Sequence, residues 1–320
     1  MIYFNSIIGY FIILTGCTLG AVSVESLLLQ WVCLEVNMLC IIPVILGRSR
    51  EDSIISGVKY FISQRSASVV FLISTIMGRV IENIIILRRL SIIFKLGVPP
   101  FHSWILGIIM NINLIELALL LTVQKFIPLI ILSQLGLRDA TMMVLILLRG
   151  AQIVVRANSN FSFRYILFLS SVRNGIWIVV SLLRGVWFTF LLLYSAILMG
   201  LVAVLISGKI IKFRDVAFRD PVKKMRVAIY FLNLGGVPPL MGFAVKLIVI
   251  KSLVDVGMIS VFVLITLSVI VLYVYTRMMY QAYTISPNPT FNINSNRPGR
   301  FVLIRVPLIL SMRILSWIAL

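Results

Sequence analysis

Long apolar runs separated by short polar gaps fill almost the whole sequence. A hydrocarbon core about 30 Å thick needs roughly 20 apolar residues for each helical crossing. The pattern predicts about eleven helical spans, near 2–21, 26–47, 54–78, 83–111, 113–135, 139–158, 163–184, 186–208, 225–251, 256–281 and 301–320. The segment 282–300, rich in Asn, Pro and Ser, is the clear polar linker. We therefore expect an all-α, polytopic membrane protein that forms a single transmembrane domain over residues 1–320.

Two of these spans are interrupted by the same four residues. Gly-Val-Pro-Pro occurs at 97–100 and again at 236–239, with Lys95 before the first copy and Lys246 after the second. Proline in a helix interior removes a backbone hydrogen bond, and in hydrocarbon the freed carbonyl groups cannot turn to water. Matched interruptions in two halves of a membrane chain are typical of a transport site made from broken helices. The plainer interpretation is a pair of loop turns.

The order of the spans also predicts an internal symmetry. When the spans are threaded alternately through the bilayer, the fourth and the ninth, which hold the two interruptions, run in opposite directions. An inverted-topology repeat requires this arrangement.

The charge of the chain follows its apolar pattern. Hydrophobic residues make up 61% of the sequence and charged residues 12%, with a mean hydropathy of +1.10. A net charge of +19 would suggest a nucleic-acid partner in a soluble protein, but here the basic residues lie in gaps between spans, where they set orientation. Threading places 12 of them on one side against 4 on the other. The N-terminus and the loop 209–226 are thus predicted to face the cytoplasm or matrix, and no nucleic acid is expected.

Four ionisable residues fall well inside the predicted spans: Glu35, Lys95, Lys125 and Lys246. A charge at bilayer depth costs at least about 2.5 to 3.5 kcal/mol, so it needs a partner, water or a task. Because burial favours the neutral form of a lysine, a buried lysine can take up and release protons near neutral pH. The plainer interpretation of each is a snorkelling or salt-bridged residue at a helix end.

Other ionisable residues are weaker candidates. His102 directly follows the first Pro pair, where a histidine could relay protons or only cap exposed carbonyl groups. Lys59, Arg65 and Glu116 are expected to be interfacial. Arg173 is interior to its span, but arginine does not deprotonate in proteins, so it can pair or shape a field without carrying a proton.

The sequence offers no ligands or motifs for other chemistry. With one histidine and with Cys17, Cys33 and Cys40 all in apolar runs, no ligand set for zinc or an iron–sulfur cluster is present. No P-loop, dinucleotide-binding glycine pattern or catalytic triad occurs. We expect no cofactor and no redox or hydrolytic chemistry in this chain. Residues 1–24 carry no charge, so the first helix is expected to stay in the mature protein.

Five motifs in order carry a close resemblance to a known family. They are Trp-Val-Cys-Leu-Glu-Val-Asn-Met-Leu (31–39), Val-Lys-Tyr-Phe (58–61), Lys-Leu-Gly-Val-Pro-Pro-Phe-His-Ser-Trp (95–104), Val-Gln-Lys-Phe (123–126) and Leu-Gly-Gly-Val-Pro-Pro-Leu-Met-Gly-Phe (234–243). Together they resemble subunit 2 of mitochondrial NADH:ubiquinone oxidoreductase, respiratory complex I. The mitochondrial members of that family have eleven helices, which agrees with the span count.

The resemblance implies an antiporter-like, proton-translocating subunit of the mitochondrial inner membrane. It implies other membrane-arm subunits of complex I and the lipid bilayer as partners. The family's charge axis contains a glutamate, two central lysines and a lysine after the second break. By matching motifs, these are Glu35, Lys95, Lys125 and Lys246 in this sequence.

Several positions depart from the family pattern. A Pro-Glu pair usually follows Phe-His-Ser-Trp, and here Leu106 and Gly107 replace it. The family's lysine before Ile-Leu is Tyr165, and its histidine before the Gly-Trp pair is Arg173. The resemblance is therefore weaker where it would imply a secondary proton path through the seventh span.

We interpret the chain as an inner-membrane subunit that moves protons while other subunits handle electrons. Two rival interpretations stay open. One is a non-pumping structural subunit that completes the membrane arm. The other is a free-standing cation/proton antiporter, which is disfavoured because one carboxylate among four central charges provides little to bind a metal cation.

Overall fold

The computed structural model describes the chain as a helical protein in two compact units, Met1–Arg149 and Gly150–Leu320. The described residues are 2–47, 51–78, 84–136, 146–147, 150, 162–210, 215, 221–238, 240–253 and 258–284. Within these ranges the regular elements are all helices, and six are long and apolar enough to cross a membrane. The predicted all-α membrane class is confirmed.

Seven helices form the described part of the first unit. They are α1 (Ile2–Ser23), α2 (Leu27–Leu46), α3 (Glu51–Met77), α4 (Ile84–Leu96), α5 (Ser103–Ile109), α6 (Leu114–Leu121) and α7 (Phe126–Leu135). A 3₁₀ turn, Val123–Lys125, joins the last two.

Five helices form the described part of the second unit. They are α8 (Phe163–Ser181), α9 (Trp187–Ser207), α10 (Pro221–Gly235), α11 (Met241–Leu253) and α12 (Met258–Thr284). A 3₁₀ turn, Leu182–Arg184, extends the first of these.

These helices match the predicted spans wherever the chain is described, except that the fifth span is not one continuous helix. The fourth predicted span corresponds to α4 and α5, and the ninth to α10 and α11, so both predicted interruptions are confirmed. The eleventh predicted span, most of the sixth, most of the linker 282–300 and much of the loop 209–226 lie outside the described residues. The total of eleven spans, the single transmembrane domain and the inverted repeat stay predictions.

The first unit buries several polar residues and leaves many apolar residues exposed. α2 contacts α1 and α3, α3 contacts α4 and α5, and α7 contacts α1, α2 and α4. Buried positions on α2 recur every three or four residues and include Gln30, Leu34, Asn37 and Ile41. Leu29 on the same helix is 53% exposed. Helices with apolar outer faces suit a lipid environment, because lipid solvates those faces.

The second unit is built around α8. This helix contacts α9, α11 and α12, and every residue from Ile166 to Ser181 is buried. Its N-terminus is capped by Ser162, whose Oγ accepts a hydrogen bond from the Tyr165 amide at 3.3 Å. A helix surrounded in this way holds any polar side chain it carries away from lipid, and α8 carries Arg173 and Asn174.

The first Gly-Val-Pro-Pro copy ends α4 with a Schellman motif. Gly97 adopts a left-handed conformation with φ of +64°. The Gly97 amide donates to the Phe94 carbonyl at 3.0 Å, and the Val98 amide donates to the Ile93 carbonyl at 3.4 Å. Pro99 follows at once and cannot continue the helix.

The second copy folds in the same way. Gly236 has φ of +82°, its amide donates to the Asn233 carbonyl at 3.1 Å, and the Val237 amide donates to the Leu232 carbonyl at 3.2 Å. In each copy the residue after the Pro pair then donates back to the carbonyl of the valine, at 3.0 Å in the first and 2.8 Å in the second. The glycine, the valine and the residue after the Pro pair therefore make the same backbone hydrogen bonds in both copies.

The fifth predicted span differs from the expectation of a continuous helix. α6 ends at Leu121, and the 3₁₀ turn intervenes before α7 begins at Phe126. Pro128 has no amide hydrogen for the Gln124 carbonyl, four residues earlier, and its ring crowds that turn. The chain therefore tightens before Pro128, and Lys125 lies in the tightened turn.

The turn after α4 provides a stability prediction. An alanine in a left-handed conformation costs about 1–2 kcal/mol. At Gly97 the new methyl would also overlap Ile105, whereas at Gly136, with φ of +65°, it would meet no atom within 4 Å. We expect Gly97→Ala to lower the thermal stability of the assembled protein clearly more than Gly136→Ala does, as measured by thermal unfolding. Equal losses would contradict tight packing at the first break.

Candidate functional site

Lys95 lies in the last turn of α4, directly before the first break, with 6% of its surface exposed. Its own carbonyl accepts a hydrogen bond from Gln64 Nε2 at 3.4 Å. The neighbouring Phe94 carbonyl accepts one from Trp104 Nε1 at 3.0 Å. The Phe94 and Lys95 carbonyls at this break thus both accept hydrogen bonds from neutral side chains, and the Lys95 ammonium group does not cap them.

Lys125 is held in its turn by the residue before it. Gln124 Nε2 donates to the Tyr10 hydroxyl at 2.9 Å and to Asn37 Oδ1 at 3.3 Å. Gln124 Oε1 accepts from Asn37 Nδ2 at 2.9 Å and from the Tyr60 hydroxyl at 3.4 Å. We call Tyr10, Asn37, Tyr60 and Gln124 the Gln124 network. It ties the turn that carries Lys125 to α1, α2 and α3.

Lys95 and Lys125 line the same small cavity inside the first unit. Its volume of about 20 Å³ is enough for one water molecule, which needs two to four polar partners. The lining supplies them, since its polar residues are Asn37, Tyr60, Gln64, Lys95, Gln124 and Lys125. The two predicted lysines therefore share one polar cavity that can hold water.

Glu35 is buried beside this site but pairs with a residue outside the predicted set. Its Oε2 accepts a hydrogen bond from Arg65 Nη1. Lys95 lies close enough to interact electrostatically with both Glu35 and Arg65. One carboxylate is thus shared between a permanent cation and a titratable one. The expectation that Arg65 lies close to an end of its span is wrong, because it is the fifteenth of the 27 residues of α3.

Glu116 has a structural task at the start of α6. Its Oε2 accepts from the Asn113 amide at 3.1 Å, and its Oε1 accepts from Asn113 Nδ2 at 2.7 Å. This is a capping arrangement, in which the third residue of a helix binds the residue that precedes the helix. Glu116 therefore stabilises a helix end.

Lys246 lies in the second unit, where cations bind the broken helix directly. Lys246 Nζ donates to the Gly235 carbonyl, and Arg173 Nη2 donates to the Leu234 carbonyl. These carbonyls end α10, where the helix dipole concentrates partial negative charge. Arg173 is fully buried and also lies over the Tyr275 ring, with its Cζ atom 5.8 Å from the ring centroid.

The two halves of the second broken helix are joined by a further contact. Asn233 Oδ1 accepts a hydrogen bond from the Gly242 amide at 2.7 Å, which caps the start of α11. Asn174, Asn233 and Lys246 also line a cavity of about 20 Å³. Arg173 Nε and Nη1 have no hydrogen-bond partner among the described residues.

His102 lies at the start of α5 and is half-buried. Its Nδ1 is 3.1 Å from the Pro100 carbonyl oxygen. It does not line the cavity that Lys95 and Lys125 share. Of the two roles predicted for His102, this placement agrees with the capping of an exposed carbonyl group.

The sequence patterns do not identify two residues of the first site, Gln124 and Arg65. Gln124 stands in the Val-Gln-Lys-Phe motif next to a predicted lysine, and an uncharged amide amid apolar residues was the available signal. Arg65 was recognised as a charge but not as the partner of Glu35. Helix positions alone do not show which face of α3 meets α2.

Comparison with known proteins gives consistent results. No protein-family profile matches the chain. The chain is 30% identical to the NADH-ubiquinone oxidoreductase chain 2 of Aedes aegypti over 295 residues, covering 87% of this chain and 86% of that protein. It is 29% identical to the chain of the same name in Ornithorhynchus anatinus, over 91% of this chain and 88% of that one.

Solved structures share the fold. A chain of respiratory complex I from Thermus thermophilus superposes with a TM-score of 0.74 at 17% identity, covering 94% of this chain and 74% of that one. A chain of an archaeal membrane-bound sulfane sulfur reductase gives 0.75 at 14% identity, covering 96% and 73%. The Mrp complex from Dietzia contributes a chain with a TM-score of 0.72 at 16% identity, covering 88% and 61%. With the sequence relatives, the fold leads to one conclusion: this chain belongs to the NADH-ubiquinone oxidoreductase chain 2 family.

Proposed function

We propose that this chain is a proton-translocating membrane-arm subunit of NADH:ubiquinone oxidoreductase, driven by redox chemistry in other subunits. The observation that carries the proposal is the buried cavity that Lys95 and Lys125 share, beside the Glu35–Arg65 pair. Membership of the chain 2 family supports it. We include Lys246 and His102 in the proposed path, His102 as the member with the weakest geometric support.

Protons move in this proposal between the two lysines through water in the cavity. A buried lysine changes its proton affinity when a nearby charge moves. Moving one charge across the membrane costs about 2.3 kcal/mol per 100 mV, and a tenfold change in proton affinity is worth about 1.4 kcal/mol. A hundredfold change, ordinary for a buried group, is therefore sufficient in scale.

The interaction that changes in this proposal is the one between the Glu35 carboxylate and Lys95. Its carboxylate stabilises the protonated form of Lys95 when it is available to that lysine, and Arg65 competes for the same carboxylate. Because arginine does not release its proton, the competition between Arg65 and Lys95 for Glu35 depends only on where the Arg65 guanidinium group lies. In this proposal a small shift of Arg65 away from Glu35 increases the affinity of Lys95 for its proton. A shift of Arg65 towards Glu35 decreases that affinity.

We further propose that the protein resides in the mitochondrial inner membrane with its N-terminus in the matrix. The lipid bilayer and other membrane-arm subunits are its proposed partners. The charge asymmetry of the gaps between spans supports the orientation. The apolar outer faces of the helices support the membrane environment.

Substitution of Lys125 tests the proton path. Lys125→Met is expected to leave a complex that assembles and oxidises NADH with artificial acceptors, but with impaired ubiquinone reduction coupled to proton pumping. Lys125→Arg is expected to be nearly as harmful, because arginine keeps the charge but cannot release the proton. Proton pumping by each variant is measured in reconstituted vesicles. Normal pumping by the arginine variant would show that this site supplies charge only. Lys251→Met, an exposed lysine at the end of α11, is the control.

The Gln124 network gives a second test, with a matched control in the same helix bundle. Gln124→Leu removes four hydrogen bonds around the Lys125 turn and is expected to lower pumping more than stability explains. Gln134→Leu removes a glutamine pair with Gln30 that does not line the cavity. An unpaired buried group costs about 1–3 kcal/mol, so thermal unfolding should register both changes. A pumping defect of equal size in both variants would contradict a special role for Gln124.

The proposed orientation is open to a direct test. Protease added to the matrix side of sealed inner-membrane vesicles is expected to cut within the loop 209–226, and protease on the opposite side is not. Cleavage from the opposite side alone would reverse the orientation.

Migration of the intact chain as a very large complex on a native gel would exclude the free-standing antiporter.

A further inference from the structure

Arg65 lies in the middle of its helix yet is not enclosed by its own chain. α3 has 27 residues, so the helix is about 40 Å long and its midpoint is about 20 Å from either end. Arg65 is the fifteenth of them. The Arg65 side chain is 48% exposed, whereas the Glu35 side chain that it binds is 8% exposed. One side of the guanidinium group therefore faces inward and the other side faces out of the described surface.

The surface around Arg65 is otherwise suited to lipid or to another helix. Val58, Ile62 and Val69 are 52%, 62% and 46% exposed. Lys59 is exposed on the same helix, but it lies six residues, or about 9 Å, nearer the helix end, where a lysine can extend its ammonium group towards the interface. Arg65 is too far from either end of α3 to extend its guanidinium group to the interface.

A guanidinium group has five N–H donors, and the carboxylate of Glu35 accepts a hydrogen bond from Nη1 only. Lipid tails offer no acceptor for the outward donors, so a lipid-exposed charge at this depth is costly. The usual solution is an opposite charge in the same layer of the membrane.

This chain has no second carboxylate to place there. Of its ten acidic residues, Glu35 is already the partner of Arg65. Glu116 caps the start of α6. The other eight lie in the gaps between predicted spans or at their very ends: Glu25, Glu51, Asp52, Glu82, Asp139, Asp215, Asp220 and Asp255. The predicted spans of this chain therefore offer no further carboxylate for the outward side of Arg65.

We propose that the middle of α3, centred on Arg65, is a contact surface for a transmembrane helix of another membrane-arm subunit that presents a carboxylate at this depth. The carboxylate binds the outward side of the guanidinium group, for which the planar fork of arginine is well suited. Val58, Ile62 and Val69 provide the apolar remainder of the contact.

This contact adjusts the site inside the chain. Glu35 is shared between Arg65 and Lys95, so one negative charge serves two positive ones. A carboxylate from the neighbour satisfies Arg65 from outside and leaves more of the Glu35 charge to Lys95. The neighbouring subunit thereby acts on the proton affinity of Lys95 through Arg65, which makes Arg65 a positioning residue at a subunit contact.

The inference rests on the proposed function, in which the chain works inside a multi-subunit complex, and a high-resolution map of the wild-type complex tests it separately. The expected result is a carboxylate oxygen of another subunit within about 4 Å of the Arg65 guanidinium. Lipid tails or residues of this chain against the outward side would overturn the inference while leaving the proposed function intact. A wild-type chain that never enters a large complex would instead overturn both.

Variants test the charge chemistry without relying on the map. In an Arg65→Lys complex, a membrane-permeable carbodiimide is expected to link the new lysine to a carboxylate within a transmembrane segment of another subunit, detected by mass spectrometry. A link to Glu35 alone, or no link, would overturn the inference.

Arg65→Met removes the positive charge from the proposed contact. Lys59→Met removes one positive charge elsewhere on the same helix and is the control. On native gels after detergent titration, we expect a severalfold lower share of intact complex for Arg65→Met and no change for the control. Equal shares for both variants would overturn the inference. The cross-linking result stands independently if Arg65→Met fails to fold.

Discussion

Backbone carbonyl groups freed inside a membrane need hydrogen-bond donors, and this requirement organises both units. Each Gly-Val-Pro-Pro copy ends its helix with a left-handed glycine, at Gly97 and Gly236. The Schellman hydrogen bonds satisfy part of the broken ladder. The carbonyls just before each glycine still point away from the helix, and no water is available from lipid to bind them. Side chains from neighbouring helices must reach the break, so each break gathers polar residues around itself.

The two units meet this requirement with different chemistry. At the first break the side-chain donors are neutral, Trp104 and Gln64, and Lys95 lines the cavity. At the second break the donors are cations, Arg173 and Lys246, and the carbonyl dipoles partly balance their charge. Both lysines line a small cavity, but Lys246 donates to the Gly235 carbonyl and must break that hydrogen bond before it can exchange a proton with water. This difference separates the roles that Lys95 and Lys246 can take.

Period, length and composition were enough to predict the helices, because a membrane span requires a continuous apolar run and few other structures provide one. The breaks were predictable for a local reason, since proline removes a donor at a fixed position. The turn at Lys125 was not predicted, although Pro128 was visible, because its effect depends on how α6 and α7 pack. The partner of Glu35 was not predicted either. Pairing across helices is set by rotation and register, and a single sequence does not contain them.

Glu35 is the point at which these constraints meet. It is the one carboxylate buried mid-helix among the described residues, and both Arg65 and Lys95 draw on it. A proton site that depends on a shared counter-charge is sensitive to any motion that redistributes that charge, even a motion too small to break a helix. The Gln124 network fixes Lys125 to three helices, so the least constrained member of the first site is the half-exposed Arg65. In the proposed function, control of the site is therefore most accessible from outside the chain, through α3, where a small displacement of Arg65 would change how firmly Lys95 holds its proton.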